Sequence, residues 1–234
     1  PILLDNANVA ESVEMITEMY SLPNYKEVDP NKVMAPFFIL FFGLMLSDAG
    51  YGLIMALGAL IVLYKFDMKA GTRKFVKLLL YSGIATMFWG ALFGGWFGDA
   101  ASVVSNGKLN LGPLWFSPID MEQNGTERLL MWSLLFGVIH LYVGIGVRGY
   151  NLLRKKKYLD AIFDSFFWYI FFTGAVFYVL PFVPNVKGDV SGYVNIGTYL
   201  LIAGAALLIL TQGRKQKNVI VKLLSGVTSM YDLV

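Results

Sequence analysis

Apolar positions run almost unbroken from residue 34 to residue 64, 34-MAPFFILFFGLMLSDAGYGLIMALGALIVLY-64, and between Lys32 and Lys65 the single charge is Asp48. As one α-helix of about 32 residues the stretch would reach roughly 48 Å, against a hydrocarbon core of about 30 Å. A tilt near 40° would still leave about 37 Å to hide. Its centre, Ser47-Asp48-Ala49-Gly50-Tyr51-Gly52, is made of turn-forming residues rather than helix interior. The pattern therefore predicts two shorter helices folded as a hairpin, with Asp48 at or near the turn.

Further charge-free runs follow at Leu78–Gly98 (closed by Asp99), Leu129–Val147, Ser165–Val186 and Val190–Gly213. Each is long enough to cross a bilayer. Ahead of them, residues 1–33 are acidic and polar, with apolar Val13, Ile16, Met19 and Tyr20 spaced as in a short surface helix. Asp29-Pro30 is a helix-start signal, with Asp as N-cap and Pro in the first turn. The expected fold is all-α: a polytopic bundle of about six membrane helices, the first two paired around Asp48. The expected organisation is a cytoplasmic lead-in over 1–33, a helical bundle over 34–213, and the start of a further helix over 214–234.

Composition agrees with this reading. The chain is 56% hydrophobic and only 15% charged, where soluble domains carry about 25% charged residues. Basic residues cluster in segments 65–77, 148–157 and 214–222, whereas 99–127 and 181–195 lack that excess. The positive-inside rule puts the basic segments in the cytoplasm, and inside loops account for the net charge of +3 better than nucleic-acid binding does. With no Cys and one His, the sequence offers no disulfide, thiol nucleophile or metal cluster. No phosphate loop or nucleophile–base pair is present, so no catalytic residue and no cofactor is expected. The chain starts at Pro1 without an initiator Met and reads as a piece of something larger.

Three ionisable residues stand out. Asp48 lies inside an apolar run, where a charge is costly and marks either an ion route or a hydrated helix cap at the interface. Asp99 closes a span and admits the same two readings. His140, in mid-span, could relay protons or bond to a neighbouring helix. Gly90, Gly94 and Gly98 recur four apart, a spacing that lets membrane helices approach closely, and Gly50 and Gly52, beside the turn, are expected to serve helix packing as well. The G-x-G-x-x-G match at Gly144, Gly146 and Gly149 ends a membrane helix instead of following a strand, which excludes a dinucleotide site. The basic run Arg154–Lys157 is ordinary inside-loop charge, and Asn124-Gly125-Thr126 fits a glycosylation sequon only by its short pattern.

Four blocks carry a family resemblance: 14-EMITEMYSLPNYKEVDP-30, 36-PFFILFFGLMLSDAGYGL-53, 90-GALFGGWFGD-99, and 113-PLWFSPID-120 with 137-GVIHLYVGI-145. In order along nearly the whole chain, they resemble the membrane domain of subunit I of rotary V/A-type ATPases, the counterpart of eukaryotic subunit a. The resemblance implies a non-catalytic stator subunit with eight membrane helices, six of them here. Its half-channels would pass H+ or Na+ against a rotor ring of small membrane subunits. It also implies peripheral-stalk and soluble ATPase subunits as partners, and a bacterial or archaeal plasma membrane as location. The family's essential arginine has no counterpart: Arg73, Arg128, Arg148, Arg154 and Arg214 all sit at loops or span ends. This stretch would then supply scaffold and channel walls, with Asp48 and Asp99 on the outer side. The competing reading is a helical scaffold or small-solute transporter with a midplane site at Asp48 and His140, although the two halves show no internal repeat.

Overall fold

Helices carry almost all of the ordered backbone in the computed structural model, which describes residues 6, 9–20, 22–24, 27–98, 100–106, 108, 111–120, 122, 124–183 and 189–212. The expected helix start over 214–234 lies outside the described residues, as does Asp99. Among those described there is no strand. Among the described residues, four helices are long and apolar enough to cross a membrane: Ala70–Phe93, Gly125–Arg154, Tyr158–Val179 and Ser191–Thr211. The chain divides into two compact units, residues 1–126 and 127–234.

The first unit holds α1 (Val9–Ser12), α2 (Glu14–Tyr20), α3 (Pro30–Leu46), α4 (Ala49–Lys65), α5 (Ala70–Phe93) and α6 (Ala100–Val104). Helix α5 is its spine. Ala35 shares a core cluster with Leu78, and Gly43 lies against the backbone of Ala85, so α3 runs parallel to α5. Gly52 lies against Met87 and Gly83, and Ala49 against Gly90, so α4 runs antiparallel to it. Both α3 and α4 pack chiefly on α5 and little on one another. The α4 face that meets α5 is Ala49, Gly52, Ala56 and Ala59, all buried, and small residues at helical spacing allow such close approach. Its opposite face presents Ile54, Leu57, Ile61 and Tyr64, all exposed. Small inside and large apolar outside is the pattern of a helix solvated by lipid.

Helix α5 extends well beyond the charge-free run at its start, taking in Arg73, Lys74 and Lys77. The reason lies about sixty residues upstream. Glu14, 1% exposed, accepts from Lys74 Nζ at 2.6 Å and from Asn6 Nδ2 at 2.9 Å, and Glu11 pairs with Lys77. Thr17 Oγ1 donates to Asn31 Oδ1 at 2.5 Å, and Asp29 caps α3 by accepting from Asn31 N at 2.9 Å. Val13, fully buried, seats α1 on Ala35 and Leu78, while Met19 and Tyr20 remain exposed. The lead-in is thus fastened to α3 and α5 by both polar and apolar contacts.

At its other end α5 stops at Phe93, five residues before the end of the apolar run, because Gly94 takes a left-handed conformation (φ 76°). Gly94 and Gly98 (φ 69°) therefore lie outside the helix. The expected glycine stripe is corrected by this finding: Gly90 alone of the three sits in α5, where it touches α4. A spacing of four serves a helix face only while the helix continues.

The second unit contains most of α7 (Gly125–Arg154), then α8 (Tyr158–Val179) and α9 (Ser191–Gln212). Helix α8 includes a π-helical turn at Ile162–Phe166, and a 3₁₀ turn over Leu180–Phe182, containing Pro181, follows it. Helices α8 and α9 are antiparallel and meet at three glycines. Gly204 lies against Phe171, Gly174 against Leu201, and Gly197 against Phe177 and Tyr178. Ile145, Trp168 and Leu208 form the buried core of this unit. Tyr142 and Thr173 share a hydroxyl hydrogen bond of 2.7 Å, and Tyr169 Oη donates to the Tyr142 carbonyl at 2.7 Å.

A methyl group added at Gly90 would sit 2.0 Å from Ala49 N, whereas one added at Gly58 meets nothing. Overpacking of this kind costs about 1–3 kcal/mol. Gly90→Ala is expected to lower the thermal unfolding midpoint in detergent by several degrees, with Gly58→Ala unchanged or raised, since alanine is the better helix former. Equal midpoints for the two variants would refute the α4–α5 packing.

Candidate functional site

The Asp48 carboxylate accepts four backbone hydrogen bonds. Helix α3 ends where Ser47 turns left-handed (φ 44°), with Ser47 N donating to Gly43 O at 2.8 Å. Asp48 is extended (φ −128°, ψ 117°) and becomes the N-cap of α4. Its Oδ1 accepts from Gly50 N at 2.9 Å and from Tyr51 N at 3.1 Å, the bonds a cap residue makes to the first turn. The same oxygen accepts from Phe97 N at 3.0 Å, and Oδ2 accepts from Gly98 N at 2.9 Å. One side chain thus closes the start of α4 and the segment leaving α5, about fifty residues apart in sequence.

The surrounding backbone is shaped to that carboxylate. Gly94, Phe97 and Gly98 all have positive φ, which curls residues 94–98 so that two consecutive N–H groups face Asp48. Glycine adopts such angles freely, but Phe97 (φ 55°) does so against its own Cβ. Its ring compensates by packing over Gly50, where a Cβ would come within 2.5 Å of a ring carbon, and edge-on to Tyr51 at 5.1 Å. Ala49 N donates to Gly95 O at 2.7 Å and ties the two segments again. A lid of loop residues covers the end of α5: Trp115 N donates to Leu92 O at 2.9 Å, Pro113 lies against Gly94, and buried Phe116 packs on Phe93 at 5.1 Å.

Asp48 is half-buried and sits between the helices rather than within one. Burial by itself raises its pKa, but the four backbone N–H donors (Gly98, Tyr51, Phe97 and Gly50) together outweigh burial and hold it below the ordinary carboxylate value. The group is an anion held by backbone dipoles. Three of the four donors converge on Oδ1 and one reaches Oδ2.

The other sequence candidates lie elsewhere. His140 is in α7, in the second unit, on an exposed part of the helix. Gly52 and Gly90 lie in the α4–α5 contact, Gly50 lies under the Phe97 ring, and Gly94 and Gly98 belong to the loop that wraps Asp48. Sequence reasoning missed Phe97 and the three glycines of the α8–α9 seam. Gly197 and Gly204, seven apart, carried a helical-face signal; Phe97 carried none. Among the described residues, no three His, Cys, Asp or Glu side chains come together as a metal site would require.

Because the folded pKa of Asp48 is depressed, its contribution to stability is full above the unfolded value, about 3.9, and is lost as pH falls through the lower folded value. Asp48→Ala strands four N–H groups and is expected to destabilise by about 1–3 kcal/mol. Asp48→Asn keeps some of the bonds but has no charge to titrate. Its midpoint, followed from about pH 6 to about pH 3, is expected to fall less steeply than that of the parent chain. Identical pH profiles would show that Asp48 does not hold this junction.

No protein-family model matches the chain. Among curated proteins it is similar to the A-type ATP synthase subunit I of Pyrococcus horikoshii, 35% identical over 211 residues, covering 88% of this chain and 30% of that protein. The A-type ATP synthase subunit I of Methanocaldococcus jannaschii is 34% identical over 187 residues, covering 72% of this chain and 27% of the relative. The V-type ATP synthase subunit I of Borreliella burgdorferi is 25% identical over 178 residues, 76% and 28% of the two chains. The chain spans less than a third of the length of each of these relatives. Four long apolar helices and these relatives together make it an integral membrane protein. It belongs to the subunit I family of A-type and V-type ATP synthases.

Proposed function

We propose that this chain supplies scaffold and half-channel walls in the static membrane subunit of a rotary V/A-type ATPase, where H+ or Na+ moves against a rotor ring. The observation that carries this reading is the likeness to subunit I proteins across as much as 91% of the chain. On this reading the subunit is non-catalytic, and ATP chemistry belongs to other subunits. No arginine of the chain matches the essential arginine that the resemblance implies, so these helices would frame the route without providing its charge barrier.

The same reading makes α3 and α4 two further passes, six in all, with the lead-in and the basic loops in the cytoplasm. Each of the two is 17 residues, about 26 Å long, which suffices for a thin or locally compressed core. Their opposite directions along α5 support the hairpin, and so does the polar Ser47–Asp48 junction between them. Asp48 takes the structural role, since both its oxygens are bonded to backbone; a transporter site would need it to face a solute. Asp99 and His140 are left as the candidates for lining the route.

The chain has no Cys, so single-cysteine variants report topology directly. Leu114→Cys is expected to react with an impermeant maleimide in intact cells, and Asp67→Cys only after permeabilisation; the reverse order would overturn the six-pass topology. For the partner, a photo-cross-linker at Tyr199, 76% exposed on α9, is expected to capture a small ring-forming membrane subunit in the assembled complex. Recovery of self-adducts alone would count against the stator reading.

A further inference from the structure

Two buried polar groups in the second unit have no hydrogen-bond partner among the described residues: Ser165 Oγ and Trp168 Nε1. Their residues are 4% and 2% exposed. Ser165 lies inside the π-helical turn Ile162–Phe166, and Trp168 follows three residues on, which puts both on one side of α8. Across from them α7 presents Gly149, where a Cβ would stand 3.2 Å from both Ser165 Cβ and Oγ. This is bare backbone beside a hydroxyl. Ser165 is seven residues into α8, about 10 Å along the helix from its first residue.

An indole N–H donates only, so its partner must accept; the serine hydroxyl can do either. The neighbouring core of Ile145, Leu208, Phe171 and Phe172 is apolar and gives an anion no counter-charge. A π turn shifts the backbone bonding register by one and interrupts the α-helical ladder, a place where water commonly enters. We propose that the junction of α7 with the π turn of α8 is a binding site for one internal water molecule. That water accepts from Trp168 Nε1–H, bonds to Ser165 Oγ, and donates onward to a carbonyl that the turn releases. The Tyr142, Thr173 and Tyr169 hydroxyl contacts are further polar groups between the same two helices. The inference concerns this chain alone and does not depend on the stator reading.

The test is water-edited solid-state NMR on the assembled complex in bilayers, with indole ¹⁵N labelling of this subunit. Trp168 Nε1–H is expected to receive magnetisation from water while exchanging slowly with bulk D2O. In Ser165→Val, whose added methyl occupies the space, that transfer is expected to drop several-fold, with the signals of the chain's other four indoles unmoved. If Ser165→Val shifts those signals as well, Gly149→Ala presses on the same space from α7 and is read the same way. No transfer in the parent chain would overturn the proposal, as would transfer that survives both variants. Exchange of Trp168 N–H within seconds would also overturn it, by showing an open crevice instead of a bound water.

Discussion

A helix end leaves backbone N–H groups without intrahelical partners, and Asp48 meets that demand for two chain segments at once. Its carboxylate accepts from the first turn of α4 and from residues 97 and 98 beyond α5. Bonds from backbone N–H to an ionised acceptor are among the stronger ones, and together they fix where α4 begins relative to where α5 ends. The close approach of Gly90 to Ala49 depends on that registration, since a slip of one residue would put a side chain into backbone. The small-residue face of α4 extends the same registration along the helix.

The opposite end of α5 is held by a different kind of contact. Glu14 and Glu11 pair with Lys74 and Lys77, and Val13 seats on Leu78. A buried carboxylate such as Glu14 is tolerable because Lys74 and Asn6 both bond to it. The first unit is therefore one helix clasped at both ends, with α3 and α4 lying along it.

The second unit solves the same packing problem with glycine and hydroxyl. Gly174, Gly197 and Gly204 bring α8 and α9 into backbone contact. Against α7 the larger Tyr142 and Tyr169 keep a wider separation, bridged by hydrogen bonds. In lipid the hydrophobic effect does not drive helices together, so close packing and interhelical hydrogen bonds carry the association.

Much of this was legible in the chain. The break at Ser47–Asp48 followed from length and charge, since no apolar helix of that span fits a bilayer with a carboxylate at its centre. Asp29 as a cap and the long apolar helices α5, α7, α8 and α9 followed from local chemistry in the same way. The start of α5 did not, because Lys74 and Lys77 look like the end of a span until Glu14 and Glu11 are brought beside them. Nor did the ending of α5: glycine serves equally in a helix face and in a left-handed turn, and only the demand for N–H groups at Asp48 decides that Gly94 and Gly98 are turns. The sequence by itself determined that the protein is a bundle of apolar helices with one carboxylate at a break, because burial cost is a property of each residue. The tertiary structure alone decided what that carboxylate bonds to, because its partners lie about fifty residues away and become neighbours only when α4 and α5 pack.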